Sequence, residues 1–315
     1  MTIGFNFYFV VIMELGIHGV FYGNIAASGL MILVSFPLVI QRFKIRLLSK
    51  KLLKRILKFG LPFVPAGIFT MVMELADRYL LEWMVGTSAV GLYSAGYKLG
   101  MFGLLMVMGF NMGWTPFFLQ KGKEKNAPEM FSRITNYFLA VYGLIAVILI
   151  FIIHDLVRLN IGSYSFLGEA FWSSTAIAPV IFLAYFFFGL YVLQLPAVYM
   201  PEKTKWVPVF RAVGAITNVG LNILVIPKYG ALGAAWATVG AQAMMSLSIF
   251  IATRKEYKIP FRTIGIIIPF MAILGAMMLT GPAMVKTGYI IGYLLIWIFL
   301  VSDKKERRFL IQKIS

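Results

Sequence analysis

Long apolar segments recur through the whole sequence and constrain its fold more than any other feature. Nine of them approach or exceed the length of about 20 residues that an α-helix needs to cross a bilayer. The backbone finds no hydrogen-bond partners in lipid, so such spans fold as helices. With 60% hydrophobic and 13% charged residues, the chain is predicted to be an all-α polytopic membrane protein. The predicted spans are Gly19–Ile40, Phe59–Met84, Ala89–Leu119, Ser132–Ile153, Ser174–Met200, Trp206–Ile226, Ala231–Ala252, Arg262–Met278 and Thr287–Val301.

The first apolar run, Ile3–Met13, is too short to span a membrane by itself. We expect it to be half of a helix or what remains of a longer protein. The N-terminus has no basic region and cleavage site of a signal peptide, so insertion is expected to rely on the spans themselves. The chain has no cysteine, which excludes disulfides and thiolate metal sites.

The basic residues are distributed very unevenly between the loops on alternate sides of the predicted spans. Of the 29 Lys and Arg residues, 24 lie on one side and three on the other. The positive-inside rule places the basic side, with the C-terminus, in the cytoplasm. The net charge of +17 is thus a topology signal, and we expect no nucleic-acid partner.

Four charged residues lie within the apolar hairpin Phe59–Gly103, where a charge costs about 2.5–3.5 kcal/mol on insertion scales. Glu74 and Lys98 each lie 12 residues from Gly86 in the turn, so both are expected about 18 Å below it, on neighbouring helices. Asp77 and Arg78 follow Glu74 at helical spacing, which predicts a shared face. Two interpretations stay open: ion pairs that only pack two helices together, or a wet cavity in which a basic group faces a substrate path.

Polar residues in the other spans are few. Asn218 and Asn222 are four residues apart and share a helix face. They are expected either to hydrogen-bond between helices or to face a sugar. His18 and His154 lie at the external ends of spans without metal-ligand spacing, so no metal or cofactor is predicted.

The segment 41–58 alternates leucine and isoleucine with lysine and arginine at helical spacing. This pattern predicts a basic amphipathic helix in the cytoplasmic interface. It either rests on anionic headgroups as a linker or captures an anionic lipid substrate. Residues 302–315 form a basic tail, which is expected in the cytoplasm.

Three stretches together resemble a known family. They are LKFGLPFVPAGIF with ELADRYLLEWMVGTSAVGLYSAGYKLG, then a basic loop with EMFSR, then LNILVIPKYGALGAAWAT. Their order is similar to that of the Wzx-type polysaccharide flippases in the multidrug/oligosaccharidyl-lipid/polysaccharide exporter superfamily. This resemblance implies two six-helix bundles around a cationic cavity, with two extra helices at the C-terminus. On that map, residues 1–40 are the remnant of an N-terminal bundle that is otherwise missing, and 41–58 are the linker. Residues 59–252 are the second bundle, and 262–301 are the accessory helices.

The resemblance implies a transporter and no enzyme. The expected substrate is an undecaprenyl-diphosphate-linked oligosaccharide, flipped across the bacterial inner membrane for O-antigen or lipopolysaccharide synthesis, with membrane lipids and a glycan polymerase as partners. Arg78 and Lys98 would attract the diphosphate. Glu74 and Asp77 would hold these bases, and one of the two would bind H⁺ or Na⁺. The expected glycan contacts are Tyr93, Asn218 and Asn222.

Three alternatives remain at this stage. A multidrug or cation exporter of the same superfamily would need cavity acids that are not matched by bases. A glycan polymerase or ligase would need large external loops with catalytic Arg or His, whereas the longest one here, His154–Ser173, has a single arginine. An inactive, truncated remnant is the third.

Overall fold

Helices form nearly all of the protein in the computed structural model, which describes residues 1–42, 49–161, 164–165 and 167–301. Of the predicted linker 41–58, positions 43–48 lie outside these residues. The whole basic tail 302–315 lies outside them too. The helices are α1 (Thr2–Asn6), α2 (Gly16–Arg42), α3 (Lys50–Gly60), α4 (Phe63–Met84), α5 (Thr87–Lys121), α6 (Ala127–Val157), α7 (Ile177–Gln194), α8 (Pro196–Tyr199), α9 (Val207–Thr253), α10 (Thr263–Met278) and α11 (Ala283–Leu300).

Five shorter elements connect these helices within the described part of the chain. A π-helical turn, Phe7–Ile12, follows α1, and two 3₁₀ segments, Glu169–Ala176 and Thr204–Trp206, precede α7 and α9. Two-residue strands, Asn160–Ile161 and Tyr164–Ser165, pair antiparallel in the connection between α6 and α7. Seven helical segments are long and apolar enough to cross a membrane, and α10, with 16 residues, is a shorter apolar helix.

The 47-residue helix α9 is two helices joined at a sharp turn. Gly230 has φ 55° and ψ −133°, a conformation that glycine adopts without a steric penalty. The chain reverses there, since a Cβ at Gly240 would contact Leu221 and one at Gly214 would contact Met245. With α9 counted as two spans and α10 included, the described part of the chain holds the nine membrane helices that the sequence predicts, and the predicted fold class is confirmed.

Residues Met1–Leu57 and Lys58–Ser315 form two compact units. In the first unit, α1 and the π-helical turn run antiparallel to α2. Gly19 lies against the Phe9 carbonyl, and Gly23 lies against Asn6. Most of α2 is exposed in this unit; only Gly19, Gly23 and Ala27 are buried.

The second unit is built around α7. This helix is apolar on every side, and 16 of its 18 residues are buried, as expected for a central helix. It packs against α5, α6, α9 and α10. The predicted span Ser174–Met200 is interrupted: its first residues are 3₁₀, and α7 ends at Gln194, two residues before Pro196, which cannot donate a backbone hydrogen bond.

The hairpin α10–α11 packs onto α6 through small residues. Gly143 of α6 lies against Pro269 and Tyr293, and the Tyr293 hydroxyl donates to the Ala140 carbonyl at 2.8 Å. On the same hairpin, Lys286 donates to the Phe151 carbonyl at 3.1 Å.

Candidate functional site

The four charged residues of the α4–α5 hairpin do not form one cluster. Asp77 is buried, with 1% of its surface exposed, whereas Glu74 and Lys98 are exposed and Arg78 is half-buried. Among the described residues, no Asp or Glu oxygen lies within 4 Å of the Arg78 or Lys98 side-chain nitrogens. The prediction that Glu74 and Asp77 hold these bases by ion pairs is therefore wrong in this structure. The predicted shared face is also wrong for Asp77, since helix packing turns its side chain inward.

Asp77 accepts four side-chain hydrogen bonds from two other helices. Its Oδ2 accepts from the Tyr93 hydroxyl of α5 at 2.5 Å and from Thr238 Oγ1 of α9 at 2.9 Å. Its Oδ1 accepts from Nδ2 of Asn218 at 2.9 Å and of Asn222 at 2.6 Å. The two asparagines belong to the first half of α9 and Thr238 to the second, so one carboxylate joins both halves of the α9 hairpin to α4. We call these five residues the Asp77 cluster.

The Asp77 cluster holds several oxygen atoms. Besides the two carboxylate oxygens, it contains Thr238 Oγ1 and the amide oxygens of both asparagines. Asn222 Oδ1 is buried and has no hydrogen-bond partner within the described structure, whereas Asn218 Oδ1 accepts from Asn222 Nδ2 at 3.2 Å. A proton or a small hard cation would satisfy such a buried acceptor, because these cations prefer oxygen ligands.

The predicted glycan contacts lie inside this cluster. Tyr93, Asn218 and Asn222 each have 0% of their surface exposed. Their polar groups bind Asp77, so in this conformation they are not available to a sugar. Of the two interpretations of the asparagine pair, hydrogen bonding between helices is the one that the structure shows.

Arg78 is held on aromatic rings at the edge of the bundle. Its guanidinium carbon lies 5.2 Å from the centre of the Tyr97 ring and 5.9 Å from that of Tyr93. One guanidinium nitrogen donates to the Glu74 carbonyl oxygen. The Tyr97 hydroxyl in turn hydrogen-bonds the Tyr185 hydroxyl of α7 at 2.7 Å. Cation–π contacts position an arginine without neutralising its charge, so Arg78 stays available to an anion.

A second arginine, Arg211, lies against aromatic side chains of α7. Arg211 begins the second turn of α9, half-buried, with its guanidinium carbon 4.8 Å from the Tyr191 ring and 5.4 Å from that of Phe188. Tyr185, Phe188 and Tyr191 are spaced three residues apart along α7. The signal in the sequence was the position of Arg211 inside the predicted span Trp206–Ile226.

The histidines play no part in these clusters. His154 Nδ1 lies 3.1 Å from Thr175 Oγ1 at the opposite end of α6 from the basic loops. Among the residues that the structure describes, no group of three or more His, Cys, Asp or Glu side chains could hold a metal ion.

Comparisons with known proteins give a partial family match. A family described as "Polysaccharide biosynthesis protein" matches residues 2–122. No curated protein matches the chain.

Three solved structures resemble the fold. The structure titled "Lipid II flippase MurJ, inward closed conformation" is 18% identical with a TM-score of 0.67, over 95% of this chain and 66% of that one. A transporter of the multidrug/oligosaccharidyl-lipid/polysaccharide superfamily from Pyrococcus furiosus is 16% identical with a TM-score of 0.48, over 71% of this chain and 51% of that one. An outward-facing multidrug-resistance transporter of the MATE family is 15% identical with a TM-score of 0.45, over the same shares.

The protein is thus a multi-pass membrane protein with the fold of the MurJ flippase, and it spans 66% of the length of that structure. The match to a polysaccharide-biosynthesis family over residues 2–122 and the MurJ-like fold agree with the family resemblance that the sequence motifs indicated.

Proposed function

We propose that this chain acts in a flippase that moves an undecaprenyl-diphosphate-linked oligosaccharide across the bacterial inner membrane for surface polysaccharide synthesis. The observation that carries the proposal is Arg78: a permanent cation within a membrane span, half-buried on two tyrosine rings, with no acidic side chain in ion-pair distance in the described structure. A cation in that position needs an anionic partner to offset the free-energy cost of placing its charge within the membrane. A lipid-linked diphosphate supplies such a partner. The matched family's description and the MurJ-like fold support the same substrate class.

Arg78 and Lys98 are proposed to attract the diphosphate. A guanidinium binds phosphate oxygens through two parallel hydrogen bonds, and an ammonium binds as a point charge. Arg211 adds a third cation, which is held on the Tyr191 and Phe188 rings of α7. No step in this function makes or breaks a covalent bond.

The Asp77 cluster is proposed to bind the coupling ion, H⁺ or Na⁺. Asp77 and Thr238 would hold it, together with the unpaired oxygen of Asn222. A single carboxylate in a buried site balances one positive charge, whereas a divalent ion would leave a net charge in the interior. The role that the sequence interpretation shared between Glu74 and Asp77 is thus proposed for Asp77, because Glu74 is exposed.

The function is tested by replacing the cations in the protein as its own cell makes it. We expect Arg78→Gln to reduce export of surface polysaccharide about tenfold or more, since an ionic hydrogen bond contributes roughly 1.5–3 kcal/mol. Lys98→Gln should act in the same direction, and Arg78→Lys should retain part of the export. The readout is polysaccharide at the cell surface against lipid-linked glycan retained inside the cell.

Lys228→Gln is the matched control, because Lys228 is an exposed cation at the end of the first half of α9, next to the turn at Gly230 and away from Arg211. Unchanged export in the Arg78→Gln, Lys98→Gln double variant, at normal protein level, would remove both residues from the mechanism.

A further inference from the structure

A groove of about 770 Å³ lies on the second unit, away from the Asp77 cluster. It is bounded by α7, the second half of α9, the connection 254–262 and the start of α10. Its walls are mainly apolar, with Phe187, Leu190, Leu247, Phe250 and Ile266. Leu247 and Phe250 are 47% and 44% exposed, so the groove is open to the surroundings of the unit.

The floor of the groove is fixed in place by one polar contact between helices. Gln194 of α7 donates to both the hydroxyl and the carbonyl oxygen of Ser246 in α9, at 3.0 and 3.2 Å. The floor of the groove is therefore held between two packed helices, α7 and the second half of α9.

Three cations form the rim at one end of the groove: Arg254, Lys255 and Lys258. All three are exposed. Within the described ranges no acidic oxygen lies within 4 Å of them, and the one acidic residue between them, Glu256, bonds Lys203 Nζ at 2.5 Å. The rim follows the last residue of α9, Thr253, and precedes Thr263, the first of α10, which is the level where spans end and lipid phosphates begin.

We propose that this groove binds one anionic phospholipid, of the phosphatidylglycerol type, from the adjacent leaflet. Its acyl chain lies along the apolar walls, and its phosphate binds the three rim cations through charge-assisted hydrogen bonds. A soluble anion would leave the walls without a partner, and a neutral lipid would leave the rim cations without one. The lipid would bridge α9 to α10 and so tie the accessory hairpin to the bundle. This inference is independent of the transported substrate.

The experiment compares the purified chain with a variant that carries Arg254→Gln, Lys255→Gln and Lys258→Gln. Each protein is titrated with phosphatidylglycerol or phosphatidylcholine in detergent, and bound lipid is counted by native mass spectrometry. Each basic residue near a lipid surface contributes about 1 kcal/mol. We therefore expect the variant to bind phosphatidylglycerol roughly ten- to a hundredfold more weakly, and phosphatidylcholine as the unchanged chain does.

A matched control carries Lys121→Gln, Lys123→Gln and Lys125→Gln, the same change of charge in another loop that does not line the groove. It should bind phosphatidylglycerol like the unchanged chain. A second variant, Ala243→Phe, narrows the groove and keeps the rim; it should lose the lipid as well. Glycerol phosphate, the headgroup without chains, should not compete.

Three results would overturn the proposal. One is equal binding of phosphatidylglycerol by the rim variant and the control. Another is equal retention of both lipids by the unchanged chain, which would make the groove a neutral surface. The third is competition by glycerol phosphate, which would assign the rim to a soluble anion.

Discussion

Asp77 is the residue through which α4 forms hydrogen bonds with α5 and with both halves of α9. Its carboxylate is buried, and burial of a charge without partners costs several kcal/mol. Four donors from α5 and α9 offset that cost. Substitutions of Asp77 can therefore separate the effect of its charge from the effect of its hydrogen bonds.

Asp77→Asn keeps the shape and removes the charge, whereas Asp77→Leu leaves the amides of Asn218 and Asn222 without an acceptor. We expect Asp77→Leu to destabilise the fold by about 3–5 kcal/mol, and Asp77→Asn by less. We also expect Na⁺ or acidification to raise the midpoint of thermal unfolding of the unchanged chain, and Asp77→Asn to lose that rise. Thermal unfolding in detergent, in sodium against choline salts and at two pH values, measures both.

Glu82→Gln is the control for this prediction, since Glu82 is an exposed acid on the same helix. A salt- and pH-dependent rise that survives in Asp77→Asn would place the coupling ion elsewhere.

At the scale of the elements, α5 meets the 3₁₀ segment and α7 through a row of glycines. A Cβ at Gly96 would collide with the Ser174 carbonyl, and one at Gly100 with the side chain of Ile181. Small residues at such positions let backbones approach closely, and van der Waals packing then holds the helices together in lipid. The sequence shows the row of glycines; only the structure shows what fills the space beside it.

Gly100→Ala and Gly109→Ala form a matched pair on α5. Nothing lies within 4 Å of a Cβ at Gly109, so alanine there should stabilise the helix by about 0.5–1 kcal/mol. At Gly100 we expect a loss of about 1–3 kcal/mol from overpacking. The measurement is the thermal midpoint of each variant in detergent, and equal midpoints would show that the α5–α7 contact is looser than described.

At the scale of the whole molecule, side-chain contacts within the second unit join the connections between helices that carry most of the lysine and arginine residues. Lys203 pairs with Glu256, and the Tyr257 hydroxyl donates to the Gly122 carbonyl at 3.0 Å. Arg262 donates to the Val301 carbonyl at 2.9 Å. The connections that the charge count assigns to one side of the membrane thus lie at one end of the helices.

The absence of cysteine makes the topology directly testable. Lys123→Cys and Lys205→Cys should be protected from a membrane-impermeant maleimide in intact cells, whereas Thr87→Cys and Lys228→Cys should be labelled, because the positive-inside rule keeps the basic loops in the cytoplasm. All four positions are exposed. Labelling after the cells are opened is the control, and the reverse pattern would invert the orientation.

The sequence by itself determined the membrane class and the number of spans, because the cost of placing polar backbone in lipid depends only on composition and length. The sequence motifs and the pattern of apolar spans together indicated the family resemblance. They also identified Asp77, Arg78, Asn218 and Asn222 as unusual residues for their depth.

Only the tertiary structure decided how those residues are combined. Helical spacing placed Asp77 beside Arg78, yet packing turned the carboxylate inward to donors more than 140 positions away in α9. It placed Arg78 on tyrosine rings of α5 and Arg211 on aromatic rings of α7. Partners far apart in sequence are selected by which helix faces meet, and that depends on side-chain packing that no local pattern encodes.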